Sequence, residues 1–140
     1  MIHFKPLRAE DIMALDSIIA IQSGQEITAE YAVELEQVGG VTAFDGDTPI
    51  GVAGILPMWS GTGLAWALLG LGWRKHARAI TNEIIRVLDE TELHRIELAV
   101  KVDFDAGKRW AKRLGFVLET PVAHKWGPDK LDYSIFARVK

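Results

Sequence analysis

The residues most able to bind a ligand follow a glycine-containing turn in the middle of the chain. Residues 70–73 read Gly-Leu-Gly-Trp, and residues 74–79 read Arg-Lys-His-Ala-Arg-Ala at the start of a helix predicted to continue to Leu88. The free N–H groups at a helix start and the positive end of its dipole bind anions, most often phosphate. Since basic side chains oppose that dipole, a bound anion explains them better than an exposed helix face does. The sequence therefore predicts a phosphate site at this position.

An apolar strand and two tryptophans surround this predicted anion site. Residues 64–69 form an uninterrupted apolar segment, which is typical of a strand buried on both faces. Gly70 and Gly72 allow the sharp turn from this strand into the helix. Trp66 and Trp73 flank the site, where each either lines a ligand cleft or packs in the core.

Several other kinds of chemistry find no support in the sequence. The four histidines are scattered without an i, i+4 pair, and there is no cysteine, so neither a metal site nor a cysteine nucleophile is expected. The patterns Gly-x-x-x-x-Gly-Lys and Gly-x-Ser-x-Gly are both absent from the sequence. Nucleotide hydrolysis by a P-loop and serine esterase chemistry are therefore not expected.

The composition is that of an ordinary globular protein. Of the 140 residues, 49% are hydrophobic and 25% are charged, so we expect residues 1–140 to form a single domain with one core. The formal net charge of -3 argues against a broad surface for nucleic acid or for an anionic membrane. The amino terminus has no apolar signal core, and no apolar run is long enough to span a bilayer. Together with the absence of cysteine, these features predict a cytoplasmic protein.

The first third of the chain is predicted to contain one strand and two helices. The pattern predicts a strand over residues 2–7 and a helix over residues 8–21, which Ser-Gly-Gln at 23–25 would end. Thr28 is a suitable N-cap for a second helix, which the glycine pair at 39–40 would end.

A hairpin is predicted next. Residues 41–44 and 48–56 have the pattern of strands, and Asp-Gly at 45–46 is a strong signal for the turn between them. Gly51 and Gly54 in the returning strand indicate a bulge or a close backbone neighbour.

The last third predicts a strand, a helix and a final pair of strands. Residues 95–100 alternate in polarity as a strand does, and a short helix capped by Asp103 or Asp105 follows. The final strands are predicted over 116–120 and 131–139. The order of elements predicts an α/β sandwich with helices on both faces of the sheet.

Three segments resemble GNAT-type N-acyltransferases, and the resemblance covers nearly the whole chain. Residues 4–12, Phe-Lys-Pro-Leu-Arg-Ala-Glu-Asp-Ile, are similar to the start of many such domains. Residues 74–79 lie where the family has its Gln/Arg-x-x-Gly-x-Gly/Ala loop, and residues 113–116, Arg-Leu-Gly-Phe, resemble its Lys-x-Gly-Phe. The resemblance implies a GNAT-like α/β fold with a mixed, mostly antiparallel, splayed sheet and helices on both faces. A narrower resemblance is to small GNAT-like proteins coded among the virion genes of short-tailed bacteriophages.

The resemblance implies acetyl-CoA as the co-substrate and no metal. The residues implied to bind its pyrophosphate are Arg74, Lys75, His76, Ala77, Arg78 and Ala79. Those implied to pair like a strand with its pantetheine, in the gap where the sheet splays, are Leu68, Leu69 and Gly70. A backbone N–H near Leu69 would hold the oxyanion of the reaction. Lys108 either reaches a phosphate of CoA or belongs to a solvated helix face.

The chain departs from the family's pattern at three places. Ala77 replaces the first glycine of the family loop, and Ala111 stands where a tyrosine often serves as the general acid. The strand at 64–69 has no carboxylate, although that strand often supplies the general base. A thiol leaving group needs little acid help, and a chain of water molecules can carry the amine proton. The candidates that remain for catalysis, each with an ordinary structural or surface role as the alternative, are His124, Glu97 and Tyr133.

Two functions are compatible with these features. The first is an acetyl-CoA-dependent N-acetyltransferase acting on an amine of a small molecule or a protein. The second is a catalytically inactive binding or virion-associated protein of the same fold, which would explain Ala77, Ala111 and the strand without a carboxylate. We expect no nucleic-acid or membrane partner; a second copy of the chain, or a virion or host protein, is the partner to test for. Because the two functions share a fold, the sequence does not separate them.

Overall fold

The structure, a computed structural model, describes residues 1–15, 19–21 and 27–140. For residues 19–21 it describes the path of the backbone. The helix end predicted at 23–25 lies outside the described residues. Within the described ranges, no helix combines the length and the apolar character that crossing a membrane requires.

One mixed sheet organises the described part of the chain. Its pairings are antiparallel except the one between β5 and β6. Seven strands follow the order β1-β3-β4-β5-β6-β8-β7, and β2 pairs with β5 as well. The strands are β1 (Ile2–Pro6), β2 (Ile19–Ile21), β3 (Val41–Asp45), β4 (Thr48–Trp59), β5 (Thr62–Leu69), β6 (Arg95–Lys101), β7 (Val117–Ala123) and β8 (Tyr133–Val139).

Helices cover both faces of this sheet, as the sequence predicts. On one face, Ile12 and Leu35 pack with the sheet residue Leu68, and on the other, Leu88 packs with Leu98. A 3-10 helix runs directly into the third of the α-helices. The helical elements of the described residues are α1 (Ala9–Met13), α2 (Ala29–Val38), the 3-10 helix (Leu71–His76), α3 (Ala77–Glu90) and α4 (Asp105–Arg113).

Local signals in the sequence account for several of these elements. The Thr28 hydroxyl accepts a hydrogen bond from the Tyr31 backbone N–H at 3.1 Å, which confirms the predicted cap of α2. Gly46 has a φ of 62° in the β3–β4 hairpin turn, a conformation that glycine adopts without strain. The close backbone neighbour predicted for Gly54 is also confirmed, because a Cβ there would lie 2.9 Å from the carbonyl oxygen of Gly39.

The sheet splays between its two central parallel strands. β5 and β6 pair over three residues, the last pair being Leu64 with Glu97, and then separate. The edge of β5 beyond this point is not open, because β2 pairs with it in antiparallel register. Ile19 lies opposite Leu69 and Ile21 lies opposite Ala67. The short strand β2 therefore lies in the gap of the splayed sheet.

The prediction of one helix over residues 8–21 is wrong. Helix α1 ends at Met13, and residues 19–21 form the strand β2. The apolar spacing of this segment fits a helix, but Ile19 and Ile21 are β-branched residues that favour strands. The free edge of β5, contributed by a distant part of the chain, stabilises the strand, and local periodicity carries no information about that edge.

The predicted aspartate cap of α4 is also wrong. The N-cap position is held by Phe104, and no side chain there accepts a backbone hydrogen bond. Asp105 is instead the first residue of the helix, where its negative charge suits the dipole. The prediction located the helix correctly but assigned the cap one residue away.

Candidate functional site

A cavity of about 300 Å³ lies where β5 ends, between the 3-10 helix and α4. Three of its side chains are arginines from two different elements, Arg74 on the 3-10 helix and Arg109 and Arg113 on α4. Apolar side chains and glycine form the rest of the wall. The lining residues are Leu69, Trp73, Arg74, Phe104, Ala106, Gly107, Arg109, Trp110 and Arg113.

The charges of these three arginines are not neutralised by the described part of the chain. All three are exposed, and none forms an ion pair with a described carboxylate. Guanidinium groups bind phosphate and carboxylate through paired hydrogen bonds. The cavity is therefore suited to an anion that brings its own negative charge to this end of the sheet.

Two tryptophans make the rigid wall of this arginine cavity. The rings of Trp73 and Trp110 have centroids 5.6 Å apart and are tilted by 51°. Nε1 of Trp110 donates a hydrogen bond to Oγ1 of Thr81 on α3 at 3.0 Å, which fixes the indole between the two helices. Gly107 lets α4 approach the sheet, since a Cβ there would lie 2.9 Å from Cγ1 of Val100. These contacts hold α4, and with it Arg109 and Arg113, against the 3-10 helix, α3 and β6.

The start of α3 differs from the open helix terminus that the sequence predicts. The chain is already in the 3-10 helix from Leu71 to His76, and the N–H of Ala77 donates to the carbonyl of Arg74. Ala77 has a φ of −55°, an ordinary helical value that its methyl group does not disturb. Nε2 of His76 lies 3.2 Å from a carboxylate oxygen of Asp45 in the β3–β4 hairpin. That hydrogen bond, followed by the one from the amino terminus, holds the pKa of the Asp45 carboxyl below its ordinary value.

The predicted phosphate-binding residues are therefore distributed between two places. Arg74 and Leu69 line the arginine cavity. His76 faces Asp45 instead, and Lys75 and Arg78 are exposed beside the helix start. The predicted residues that do not line the cavity are Leu68, Gly70, Lys75, His76, Ala77, Arg78, Ala79 and Lys108.

The backbone of β5 at its end is engaged on both edges. The N–H of Gly70 donates to the carbonyl of Ile50 on β4 at 2.9 Å. Because successive residues of a strand direct their amides to opposite edges, the N–H of Leu69 points to the other edge, where Ile19 of β2 lies. The amide predicted to hold an oxyanion therefore faces the gap of the splayed sheet, and β2 lies against it.

Of the three predicted catalytic residues, Glu97 lies closest to the splay of the sheet. It is opposite Leu64, at the last pair before β5 and β6 separate, and its carboxylate accepts a hydrogen bond from Nε of Arg95 at 3.0 Å. Arg95 also binds Glu119, and the hydrogen bonds to Glu119 and Glu97 raise the pKa of its guanidinium. Glu97 is thus a carboxylate held in a fixed position at the apex of the gap.

Tyr133 and His124 have other surroundings. Tyr133 is 1% exposed, and its hydroxyl donates to Asp129 at 2.7 Å. Burial, and then the hydrogen bond to Asp129, raise the pKa of the Tyr133 phenol well above its ordinary value, so it stays protonated at neutral pH. The side chain of His124 is 80% exposed and lies 3.2 Å from Asp132. Neither residue lines the arginine cavity.

Two residues of this site were not predicted from the sequence. Arg109 and Arg113 belong to a basic helix face that the sequence gives no reason to separate from an ordinary solvated one. Their i, i+4 spacing places them on one side of α4. The information that this side faces Arg74 comes from packing between distant segments. In the part of the chain that the structure describes, no group of three or more potential metal ligands comes together.

Comparison with known proteins defines the fold. No family model and no curated protein matches the sequence. Solved structures of GNAT acetyltransferases match along the whole chain, so the fold is that of the GNAT acetyltransferases, as the sequence predicts.

Three solved structures illustrate this likeness. Ard1 from Thermoplasma volcanium is 14% identical with a TM-score of 0.78, and the match covers 99% of this chain and 97% of that one. An N-acetyltransferase from Staphylococcus aureus Mu50 is 15% identical with a TM-score of 0.75 and the same coverage of 99% and 97%. An acetyltransferase of the GNAT family from Streptococcus pneumoniae is 13% identical with a TM-score of 0.72 over 100% of both chains. At these identities the likeness establishes the fold and leaves the activity to the chemistry of the site.

Proposed function

We propose that the protein is an N-acetyltransferase that takes its acetyl group from acetyl-CoA and transfers it to an amine of a small molecule or a protein. The observation that carries this proposal is the arginine cavity at the end of β5, where Arg74, Arg109 and Arg113 lack acidic partners among the described residues. The fold supports it as well, since the solved structures of similar shape include N-acetyltransferases. An anionic co-substrate with several phosphates matches the charge of this cavity.

Each part of the site has a role in the proposed reaction. When bound, acetyl-CoA supplies an acetyl group activated as a thioester. The three arginines would bind its phosphates, and the Leu69 N–H would donate to the carbonyl oxygen as negative charge develops on it. The amine nitrogen forms a bond to the acetyl carbon, the carbon–sulfur bond breaks, and the sulfur leaves as a thiolate that takes a proton from water. Glu97, held by Arg95, would accept the proton lost by the amine, directly or through water.

The pairing of β2 with β5 sets a condition on this proposal. The edge of β5 at 67–69 is occupied by β2, so pantetheine can pair there only when β2 separates from it. A strand of three residues forms few ladder hydrogen bonds, each of which contributes about 1 kcal/mol net, so separation is energetically accessible. The apparent affinity for acetyl-CoA would then be reduced by the fraction of molecules in which the edge is covered.

Thermal unfolding with increasing acetyl-CoA tests the proposed binding. A ligand that binds only the folded state raises the midpoint, by an amount that grows with the ratio of its concentration to the dissociation constant. We expect a rise with acetyl-CoA and with CoA at millimolar concentrations, and none with pantothenate, which lacks the phosphates. No rise with either CoA compound would overturn the proposal.

A second function, a binding protein without catalytic activity, is favoured by one specific observation. β2 pairs with the edge of β5 on which the reaction depends, and Ala111 provides no general acid. A thiol-release assay on a panel of polyamines and peptide amines separates the two functions. Turnover on a defined amine supports the transferase. Binding of CoA without thiol release on any amine, together with a stable protein partner in a pull-down, supports the binding protein.

A further inference from the structure

A second cavity, of about 310 Å³, lies between the sheet and the helices α3 and α4. Apolar and aromatic residues and glycine line it throughout, so we call it the apolar cavity. Three alanines lie on its sheet side, Ala53 on β4 and Ala65 and Ala67 on β5. Protein interiors are close packed and contain few spaces larger than a water molecule. A space of this size and character is therefore suited to an apolar ligand.

The position of the apolar cavity relates it to the splay of the sheet. Ala65 and Ala67 follow Leu64, the last residue of β5 that pairs with β6. Leu98 follows Glu97 on the other side of the gap and also lines the cavity. A group placed between the separating strands would therefore lie next to the apolar cavity.

Trp110 lies between the apolar cavity and the arginine cavity, because it lines both. The residue is 9% exposed and its Nε1 is bonded to Thr81, so it forms a fixed partition. Arg109 precedes it on α4, and Arg113 follows one turn later. The two cavities together match one molecule that carries both phosphates and a hydrocarbon chain.

We propose that the apolar cavity receives the hydrocarbon chain of the acyl group, so that the donor that binds best carries a linear chain of medium length. This inference rests on the proposed function and extends it from acetyl to longer acyl groups. An apolar cavity of about 150 Å³ holds one benzene molecule, so a space of about 310 Å³ holds a chain of roughly ten carbon atoms. The transfer itself is unchanged: the amine nitrogen bonds to the acyl carbon and loses a proton to Glu97 or water, the carbon–sulfur bond breaks, and the sulfur leaves as a thiolate that takes a proton from water.

Calorimetric titration of the full chain with CoA, acetyl-, butyryl-, octanoyl-, decanoyl- and palmitoyl-CoA tests the inference. We expect the affinity to rise by up to about fourfold for each methylene buried, until the cavity is filled near ten carbons. Palmitoyl-CoA should bind no tighter than decanoyl-CoA. Equal affinities for acetyl- and octanoyl-CoA would overturn the inference and leave the proposed function intact, whereas absence of binding by CoA itself would overturn both.

A variant that fills the cavity separates specific binding from adsorption of a hydrophobic chain. Ala53→Leu places three more carbon atoms in the cavity. It should abolish the gain in affinity from acetyl- to octanoyl-CoA without weakening the binding of acetyl-CoA. Ala29→Leu, the same change at an exposed position of α2, is the matched control and should keep the full gain. If Ala53→Leu does not fold, Ala65→Val makes a smaller change with the same expected loss. A gain from chain length that persists in the folded cavity variant would overturn the inference.

Discussion

Ile19 of β2 lies directly opposite Leu69 of β5, on the strand edge that faces the gap of the splayed sheet. The N–H of the next residue, Gly70, donates to Ile50 on the other side of β5, which directs the Leu69 amide toward β2. The same amide is the one we propose to hold the oxyanion of the transfer. If the co-substrate binds as we propose, its pairing at Leu69 and the pairing of β2 there are mutually exclusive.

This exclusion predicts that weakening the pairing of β2 with β5 strengthens the binding of acetyl-CoA. Ile19→Pro removes a backbone N–H that faces β5, so the covered state loses about 1 kcal/mol, and the apparent dissociation constant should fall by up to about fivefold. Ala20→Pro is the matched control, because the amide of Ala20 points away from β5. The measurement is a calorimetric titration of both variants. Equal affinities of the two variants would show that β2 does not limit binding.

A buried carboxylate that joins α1 to the sheet predicts a clear effect on stability. Asp11 is 6% exposed, and one of its oxygens accepts hydrogen bonds from the Thr42 hydroxyl at 2.7 Å and from the Arg8 N–H at 3.1 Å. Thr42→Val removes the hydroxyl and leaves the shape of the side chain, so the free energy of unfolding should fall by about 2 kcal/mol. Urea unfolding measures this change. Thr48→Val on the exposed start of β4 is the control and should change stability by less than about 0.5 kcal/mol.

The hydrogen bond between His76 and Asp45 predicts a dependence of stability on pH. The hydrogen bond from His76, and then the one from the amino terminus, lower the pKa of Asp45 from its ordinary value of 3.8. A carboxyl whose pKa is lower in the folded state stabilises the fold above its ordinary value, and this contribution disappears as the pH falls through the folded-state pKa.

Asp45→Asn tests this dependence. The variant should be less stable than the original protein at pH 6, and the difference should shrink below about pH 4. Urea unfolding at a series of pH values between these limits provides the measurement. Because both side chains are partly exposed, added salt should also reduce the difference. If the difference in stability stays constant down to the lowest pH at which the protein folds, the Asp45 carboxyl is not the source of the pH dependence.

Much of the fold follows from local signals, as α2 and the β3–β4 hairpin show. The Thr28 cap, the glycines after Val38 and the Asp-Gly turn act within a few residues, so the sequence around each of them is sufficient. β2 could not be predicted in this way. Its three residues fit the apolar spacing of a helix while two of them are β-branched, and the edge of β5, more than forty residues away in the chain, decides between helix and strand.

The candidate site likewise contains residues that the local sequence predicts and residues that it does not. Arg74 was predicted because it belongs to a continuous segment of strand, turn and helix. Arg109 and Arg113 were missed because a basic helix face has the same sequence pattern whether it is solvated or turned toward a ligand. The packing of Trp110 against Trp73 and Thr81 brings α4 beside the 3-10 helix that carries Arg74, and this packing joins distant parts of the chain.

Calorimetric titration of acetyl-CoA into the original protein, Arg109→Ala and Lys112→Ala tests the central claim most directly. Arg109 lines the arginine cavity, whereas Lys112 is an exposed cation of the same helix that does not. Loss of a hydrogen-bonded charge costs about 1.5–3 kcal/mol, so Arg109→Ala should weaken binding by roughly 10- to 100-fold and Lys112→Ala by less than about threefold. Equal binding by all three proteins would contradict the assignment of the cavity to the phosphates of the co-substrate.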